Sequence, residues 1–368
     1  MTSPSQTASP TPLEHRIKAQ IRLAGPMSIA DYMAIALGDP EHGYYMAREV
    51  FGAGGDFVTA PEVSQMFGEL IGLWAVDAWL KLGRPDPVRL VELGPGRGTL
   101  MADAVRAARV RPDFIAAARL HLVETSQRLR ARQRQTLAAA PLVPHWHDRA
   151  DEVPEGPAIV VANEFFDALP IRQYQRSQGL WRERVVGLDA EGALQIGLGT
   201  GLLPVEAVPA RLRGAPDGSV LETNAVAAAV MEGLAGRIRR DGGFLLAIDY
   251  GYRETAIGDS FQAVRAHAPV DPLARPGEAD LTAHVDFEAL AGAARRAGAT
   301  VFGPLPQGDF LLRLGLAERA GRLGADKDQA TRERITAEVT RLVAADEMGD
   351  LFKAMAIAAP GLVPAPWG

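Results

Sequence analysis

Apolar residues recur at helical spacing through SQMFGELIGLWAVDAWL (64–80), behind a serine suited to capping, and this predicts a helix whose Trp74 and Trp79 face a core. From Leu13 to about Leu82 the pattern stays mostly helical, interrupted by GDPEHGYY (38–45) and FGAGGDFVTAPE (51–62). After GRPDP (83–87) the period changes. VRLVELG (88–94), RLHLVET (119–125), LVPHWH (142–147) and PAIVVANEF (157–165) are short apolar runs separated by helical stretches. Such alternation predicts right-handed βαβ units and a parallel sheet covered on both faces.

The alternation then breaks. IRQYQR (171–176), LWRERVVGLD (180–189) and ALQIGLG (193–199) alternate polar and apolar residues between turn signals, as an antiparallel insertion would. A helix at about 223–240 and the strand FLLAIDYG (244–251) resume the core, followed by an amphipathic helix at 284–299. TVFGPL and DFLLRLG (300–315) read as strands, and two or three helices close the chain. The expected fold is α/β: a doubly wound, mostly parallel sheet with an N-terminal helical segment, an antiparallel insertion and C-terminal helices. Its expected divisions are a disordered tail at 1–12, a helical and lid segment at 13–82, and an α/β core at 83–315 with an insertion at about 171–240. The C-terminal helices then occupy 316–368.

Composition narrows the chemistry. The 368 residues are 47% apolar with a formal charge of −6, which provides no general field for a phosphate backbone, so nucleic acid is not an expected partner. Cysteine is absent, which removes thiolate nucleophiles and Cys-based zinc sites. The seven histidines form no H-x-x-x-H pair, and no metal is expected. No run approaches the roughly 18 to 20 apolar residues of a membrane span. The first residues, MTSPSQTASPTP, have neither a signal-peptide core nor presequence arginines, so a soluble bacterial cytoplasmic protein is the expectation.

VELGPGRGTL (91–100) joins a strand to a helix, where a parallel sheet presents backbone N–H groups to a ligand. A dinucleotide fingerprint counted from Gly94 needs glycine at position 99, and this chain has Thr99. Its glycines are Gly94, Gly96 and Gly98, in an E-x-G-x-G-x-G run that resembles the first motif of class I S-adenosylmethionine (SAM) methyltransferases. Gly94 and Gly96 leave room for a ligand without a pyrophosphate, and Glu92 is placed to attract its ammonium group. Glu124, ending the second strand, is suited to both ribose hydroxyls. Asp148, after the third, either takes the adenine amino group or caps a helix.

Six separated segments extend the resemblance: GDFVTAPEVSQMFGELIGLW (55–74), LVELGPGRGTLMAD (90–103), ANEFFDALP (162–170), LLAIDYG (245–251), DPLARPGEADLTAHVDF (271–287) and MGDLFKAMAI (348–357). Together they resemble the MidA-like family of SAM-dependent methyltransferases, relatives of a mitochondrial complex I assembly factor with protein arginine methyltransferase activity. The resemblance implies SAM as cofactor, symmetric dimethylation of a protein arginine, and a complex I subunit as a possible substrate. It also implies that the 55–65 loop closes over the cofactor, with Thr59, Pro61 and Gln65 nearest.

An arginine acceptor remains charged and its lone pairs are delocalised, so paired carboxylates that grip its N–H fork would polarise it. NEFFDALP ends the fourth strand with such a pair. Glu164 is the expected anchor. Asp167 is either a second anchor or a turn-forming acid before Pro170, and Asn163 either faces the cofactor or orients Glu164. Phe165 and Phe166 either exclude water or belong to the core. His284 is either the best proton acceptor, by residue type and setting, or a helix-capping or core residue. A SAM-binding assembly chaperone and a small-molecule methyltransferase are the alternatives, and a chaperone has no need of two acids at this place.

Overall fold

The computed structural model describes residues 10–47 and 59–368. Seven strands form the central sheet: β1 (Val88–Leu93), β2 (Ala118–Val123), β3 (Pro144–His147), β4 (Ala158–Asn163), β5 (Gly243–Tyr252), β6 (Thr300–Pro306) and β7 (Phe352–Ala358). Their spatial order is β6-β7-β5-β4-β1-β2-β3, and Val285–Asp286 adds a two-residue strand along the end of β5. Every core pairing is parallel except those of β7, which runs antiparallel to both β5 and β6.

The apolar run of β4 follows from this placement. Ile159 and Val161 join the core on one sheet face, while Ala158, Val160 and Ala162 join the core on the other. A strand covered on both sides needs no polar alternation. The first face is covered by α1 (Gln65–Lys81) and α2 (Thr99–Ala108), together with the C-terminal helices. Gly72 of α1 lets these two helices approach: a Cβ there would lie 2.2 Å from the Ala104 carbonyl oxygen. Trp74 and Trp79 are buried in this core, with Trp74 edge-on to Phe244. The helix α3 (Gln127–Thr136) follows β2, its Gln133 accepting from Trp146 Nε1 of β3 at 2.7 Å, and the second face carries α4 (Ala225–Asp241) and α5 (Phe287–Arg296).

The insertion is antiparallel, with strands at Arg172–Ser177, Leu180–Leu188, Leu194–Leu202 and Val220–Thr223. Met27–Ser28 of the N-terminal segment joins the same sheet by pairing with Val185 and Val186. Leu13, Ile17 and Tyr32 share one apolar cluster with Ile171, Val186 and Leu281, so this sheet, the N-terminal helices and the hairpin after residue 260 bury each other's surfaces.

Three boundaries differ from the sequence reading. Residues 10–12 do not belong to a loose tail: Thr11 is buried and caps the helix Pro12–Ala24 through the Glu14 N–H, while residues 1–9 lie outside the described part. DFLLRLG is largely helical (Gln307–Arg313), because Phe310 and Leu311 are buried whereas Leu312 is exposed, a helical pattern of contact. The chain also does not close with helices alone. MGDLFKAMAI enters β7, whose apolar run sits between two strands and is covered on both faces.

Candidate functional site

β1 lies at the point where the strand order reverses, with β2 on one side and β4 on the other, so the connections leaving their C-terminal ends diverge and open a cleft. The cleft encloses about 700 Å³, counting its open mouth. Gly94, Gly96 and Gly98 turn the chain from β1 into α2 with φ of +61°, +50° and +81°, the left-handed region that side chains disfavour. A Cβ on Gly94 would meet the Phe165 ring at 3.1 Å, so the loop and the end of β4 are in contact. Glu92 projects into the cleft from β1. It is buried, its Oε2 has no hydrogen-bond partner, and burial pushes its carboxyl up to about 8.

The opposing wall begins where β4 ends. Glu164 has a φ of +50°, uncommon for a residue with a Cβ, and its N–H donates to the Ile248 carbonyl at 2.9 Å. Its Oε1 accepts from the Ala60 N–H at 3.0 Å and from Asn163 Nδ2 at 3.2 Å. Burial, reinforced by the nearby Asp167 charge, raises the Glu164 carboxyl to about 7 against the pull of the Ala60 N–H. Glu164 is half-buried by its accessible surface, whereas Asp167 is buried, with Oδ1 unpartnered, and burial moves it up to about 6. Among the described residues, neither acid nor Glu92 has an arginine, lysine or histidine within ion-pair distance.

Asp249 holds this turn in shape. It is fully buried in β5, and its Oδ2 accepts from three consecutive N–H groups: Phe165 at 3.2 Å, Phe166 at 2.9 Å and Asp167 at 3.2 Å. Its Oδ1 accepts from the Tyr250 N–H at 3.0 Å. Burial and the charges of Asp167 and Glu164 raise this carboxyl while the N–H groups oppose them. The four N–H contacts leave Asp249 directed at backbone rather than at a ligand.

The far side of the cleft comes from Tyr45, Tyr250, Asp280 and Thr282. The Tyr45 hydroxyl donates to Asp280 Oδ1 at 2.8 Å. Tyr250 stands beside the Asp167 carboxylate and the Thr282 hydroxyl, yet its own hydroxyl meets hydrogen-bond geometry with neither.

The sequence-selected residues divide into two groups. Glu92, Gly94, Gly96, Thr59, Pro61, Asn163, Glu164 and Asp167 all line the cleft. Gly98, Glu124, Asp148 and Gln65 do not. Gly98 instead starts α2, its N–H donating to the Pro95 carbonyl. Glu124 is turned onto the Ser126 N–H and onto Gln133, whose amide also bonds the Gly96 carbonyl. Asp148 pairs with Arg130 and its side chain is 64% exposed; the short helical turn after it starts at Arg149, and Glu152 Oε2 accepts from the Asp148 and Arg149 N–H groups there. Gln65 faces Arg106 because extended backbone at Ser64 separates it from the short Ala60–Val63 helix. His284 is also absent from the lining, packed against Tyr250 and Tyr252, and burial lowers its pKa.

Phe166 is core, while Phe165 spans the loop and the strand end. Of the lid expected over 55–65, residues 55–58 lie outside the described residues, and 59–65 are described. Its end is docked by Glu62, which accepts from Thr99 Oγ1 at 2.6 Å and from Arg97 at 3.4 Å. Asp249, Glu62, Tyr250, Asp280 and Thr282 were not selected from sequence. Only Asp249 had a local signal, as an acid in the otherwise apolar FLLAIDYG. No group of three or more potential metal ligands occurs among the described residues.

Comparison with known proteins bears on this arrangement. The family model for S-adenosyl-L-methionine-dependent methyltransferases matches residues 70–305. A Drosophila melanogaster protein named protein arginine methyltransferase NDUFAF7 homolog, mitochondrial, is 38% identical over 380 residues, spanning 96% of this chain and 86% of its own length. The Homo sapiens protein arginine methyltransferase NDUFAF7, mitochondrial, is 33% identical, with 94% and 83% covered. A solved Burkholderia thailandensis protein bound to S-adenosyl-homocysteine superposes with a TM-score of 0.83 at 30% identity, over 96% of this chain and 95% of that one.

Proposed function

Because the chain belongs to the family of S-adenosyl-L-methionine-dependent methyltransferases, we propose that its cleft methylates the guanidinium of an arginine in a protein, up to the dimethyl state. The cofactor fits the residues present. Its ammonium suits the unpartnered, buried Glu92 Oε2, and the positive-φ glycines keep the loop clear of side chains beside it. Glu124 is the proposed ribose ligand, one glutamine away from the Gly96 carbonyl. Bound SAM supplies an electrophilic methyl group on a sulfonium.

The protein's part is to hold an acceptor in line and polarise it. Glu164 and Asp167 carry this reading: a half-buried and a buried carboxylate beside the glycine loop, without a cationic partner among the described residues. A guanidinium between them would draw both pKa values back down and leave the pair ionised. Gripping one edge of the planar group concentrates positive charge there, and the opposite nitrogen becomes the better nucleophile. Asn163 and the Ala60 N–H fix Glu164 by occupying Oε1, which leaves Oε2 for the acceptor.

A complex I subunit is the first protein we would test, on the strength of the six-motif resemblance, and the bacterial cytoplasm is our proposed setting from composition. No helix among the described residues is long and apolar enough to cross a membrane. The deciding experiment incubates the purified protein with labelled SAM and lysate from a strain lacking it, then maps the labelled residue. Arginine is the expected result; label on lysine, or none, overturns the reading.

A further inference from the structure

Among the described residues, several buried side-chain atoms without a hydrogen-bond partner collect in one cleft: Glu92 Oε2, Asn163 Oδ1, Asp167 Oδ1, Tyr250 Oη and Thr282 Oγ1. Buried polar atoms are normally satisfied, so such a concentration points to what the cleft binds. The atoms separate by position. Glu92 and Asn163 lie at the ends of β1 and β4, near the glycine loop. Asp167, Tyr250 and Thr282 come from the turn after β4, the end of β5 and the short strand Asp280–Thr282.

We propose that the Tyr250 and Thr282 hydroxyls, with Asp167, form an acceptor subsite that reads the shape of a guanidinium and discriminates it from a primary ammonium. This rests on the arginine reading above and deepens it. A guanidinium presents five N–H donors in a plane and accepts none, whereas an ammonium presents three from a single point. Glu164, Asp167, Tyr250 and Thr282 bring carboxylate and hydroxyl oxygens from separate elements to one cleft, with Tyr250 beside both Asp167 and Thr282, a set that a planar fork of donors can meet at more than one point. Carboxylates alone would hold either cation. The hydroxyls are the groups an ammonium would leave unmet, and an unmet buried group is what produces discrimination.

Tyr250 and Thr282 are poorly explained as ordinary packing. Thr282 is 2% exposed and Tyr250 8%, and among the described residues neither hydroxyl has a partner in hydrogen-bond geometry. Both lie on the cleft wall. Asp280, two residues before Thr282, is tied to Tyr45 and so anchors the strand that presents the threonine.

The test uses the full chain saturated with S-adenosyl-homocysteine, titrated calorimetrically with ethylguanidinium and, separately, with butylammonium. The wild type is expected to favour ethylguanidinium by about tenfold. Tyr250→Phe and Thr282→Val, which remove only the hydroxyl function, should each reduce that ratio about fivefold. Melting curves with S-adenosyl-homocysteine identify a folded variant with an intact cofactor half. If one variant does not fold, Thr282→Ser keeps the hydroxyl and should restore the preference, while the other variant still carries the test. An unchanged ratio in the folded variants, or a wild type without preference, overturns the subsite. Should labelled SAM still mark arginine in that case, the arginine reading stands and only this inference falls.

Discussion

The glycine-loop side of the cleft is one continuous run, Glu92 to Thr99, whereas the opposite side gathers Glu164 and Asp167, Tyr250, and Thr282 from three separate segments of the chain. On the first side the backbone is the instrument: positive-φ glycines leave space, and a single acid provides charge. On the second, side chains do the work, and a buried aspartate fixes the backbone that carries them. A cofactor common to many enzymes can be served by a local device. An acceptor particular to one enzyme requires contacts assembled from several directions.

Glu164→Gln should give the largest effect and separate the two sides most sharply. Methyl transfer is expected to fall by about 100-fold or more while SAM binding stays close to wild type. Calorimetry and a label-transfer assay on the same preparation decide this; lost binding with retained transfer would move Glu164 to the cofactor side.

Next in size is Asp249→Ala, which leaves three N–H groups of the turn after β4 unmet. Urea denaturation should show a loss of about 3 kcal/mol, and Asp249→Asn, which keeps an acceptor oxygen, should recover part of it. A change below about 0.5 kcal/mol would mean that the turn holds itself.

On the cofactor side, Gly94→Ala forces a Cβ towards Phe165 at a φ of +61° and should destabilise the fold by about 1 to 2 kcal/mol. Its SAM affinity should fall more than its affinity for an acceptor analogue. The reverse order would show that the loop serves the acceptor through Phe165.

The smallest expected effect is on protons. Glu92 and Glu164 have native pKa values of about 8 and about 7, above the ~4.3 of a free glutamate, so the folded chain holds more protons than the unfolded one between these values. Stability without ligand should therefore decline as pH rises from ~4 to ~8. A cationic cofactor favours the ionised forms, so at pH 7 its binding should release up to about one proton. Calorimetry in two buffers of different ionisation enthalpy measures this directly, and proton uptake would remove Glu92 from the ammonium contact.

The same division explains what could be read in advance. The strand alternation from 88 to 165, the glycine spacing and the paired acids of NEFFD are local patterns, and each appears in the structure where the sequence put it. Gln65 was misplaced because one extended residue, Ser64, turns it away from the cleft. DFLLRLG and FKAMAIA are short apolar runs of similar composition; one is mainly helix and the other strand, and tertiary burial alone separates them. Tyr250, Asp280 and Thr282 had no local mark, since their roles depend on a strand from one region facing a turn from another.

The position of β7 has a consequence for synthesis. Until residues 352–358 leave the ribosome, β5 has β4 on one side and an open edge on the other, and β6 has no partner through which to join the sheet. Asp249 pairs across that edge with Lys353, and Tyr250 with Phe352. The strand that steadies the turn after β4 is thus secured by residues made more than a hundred positions later. A nascent chain can carry a finished glycine loop while the opposite wall of its cleft is still one strand short.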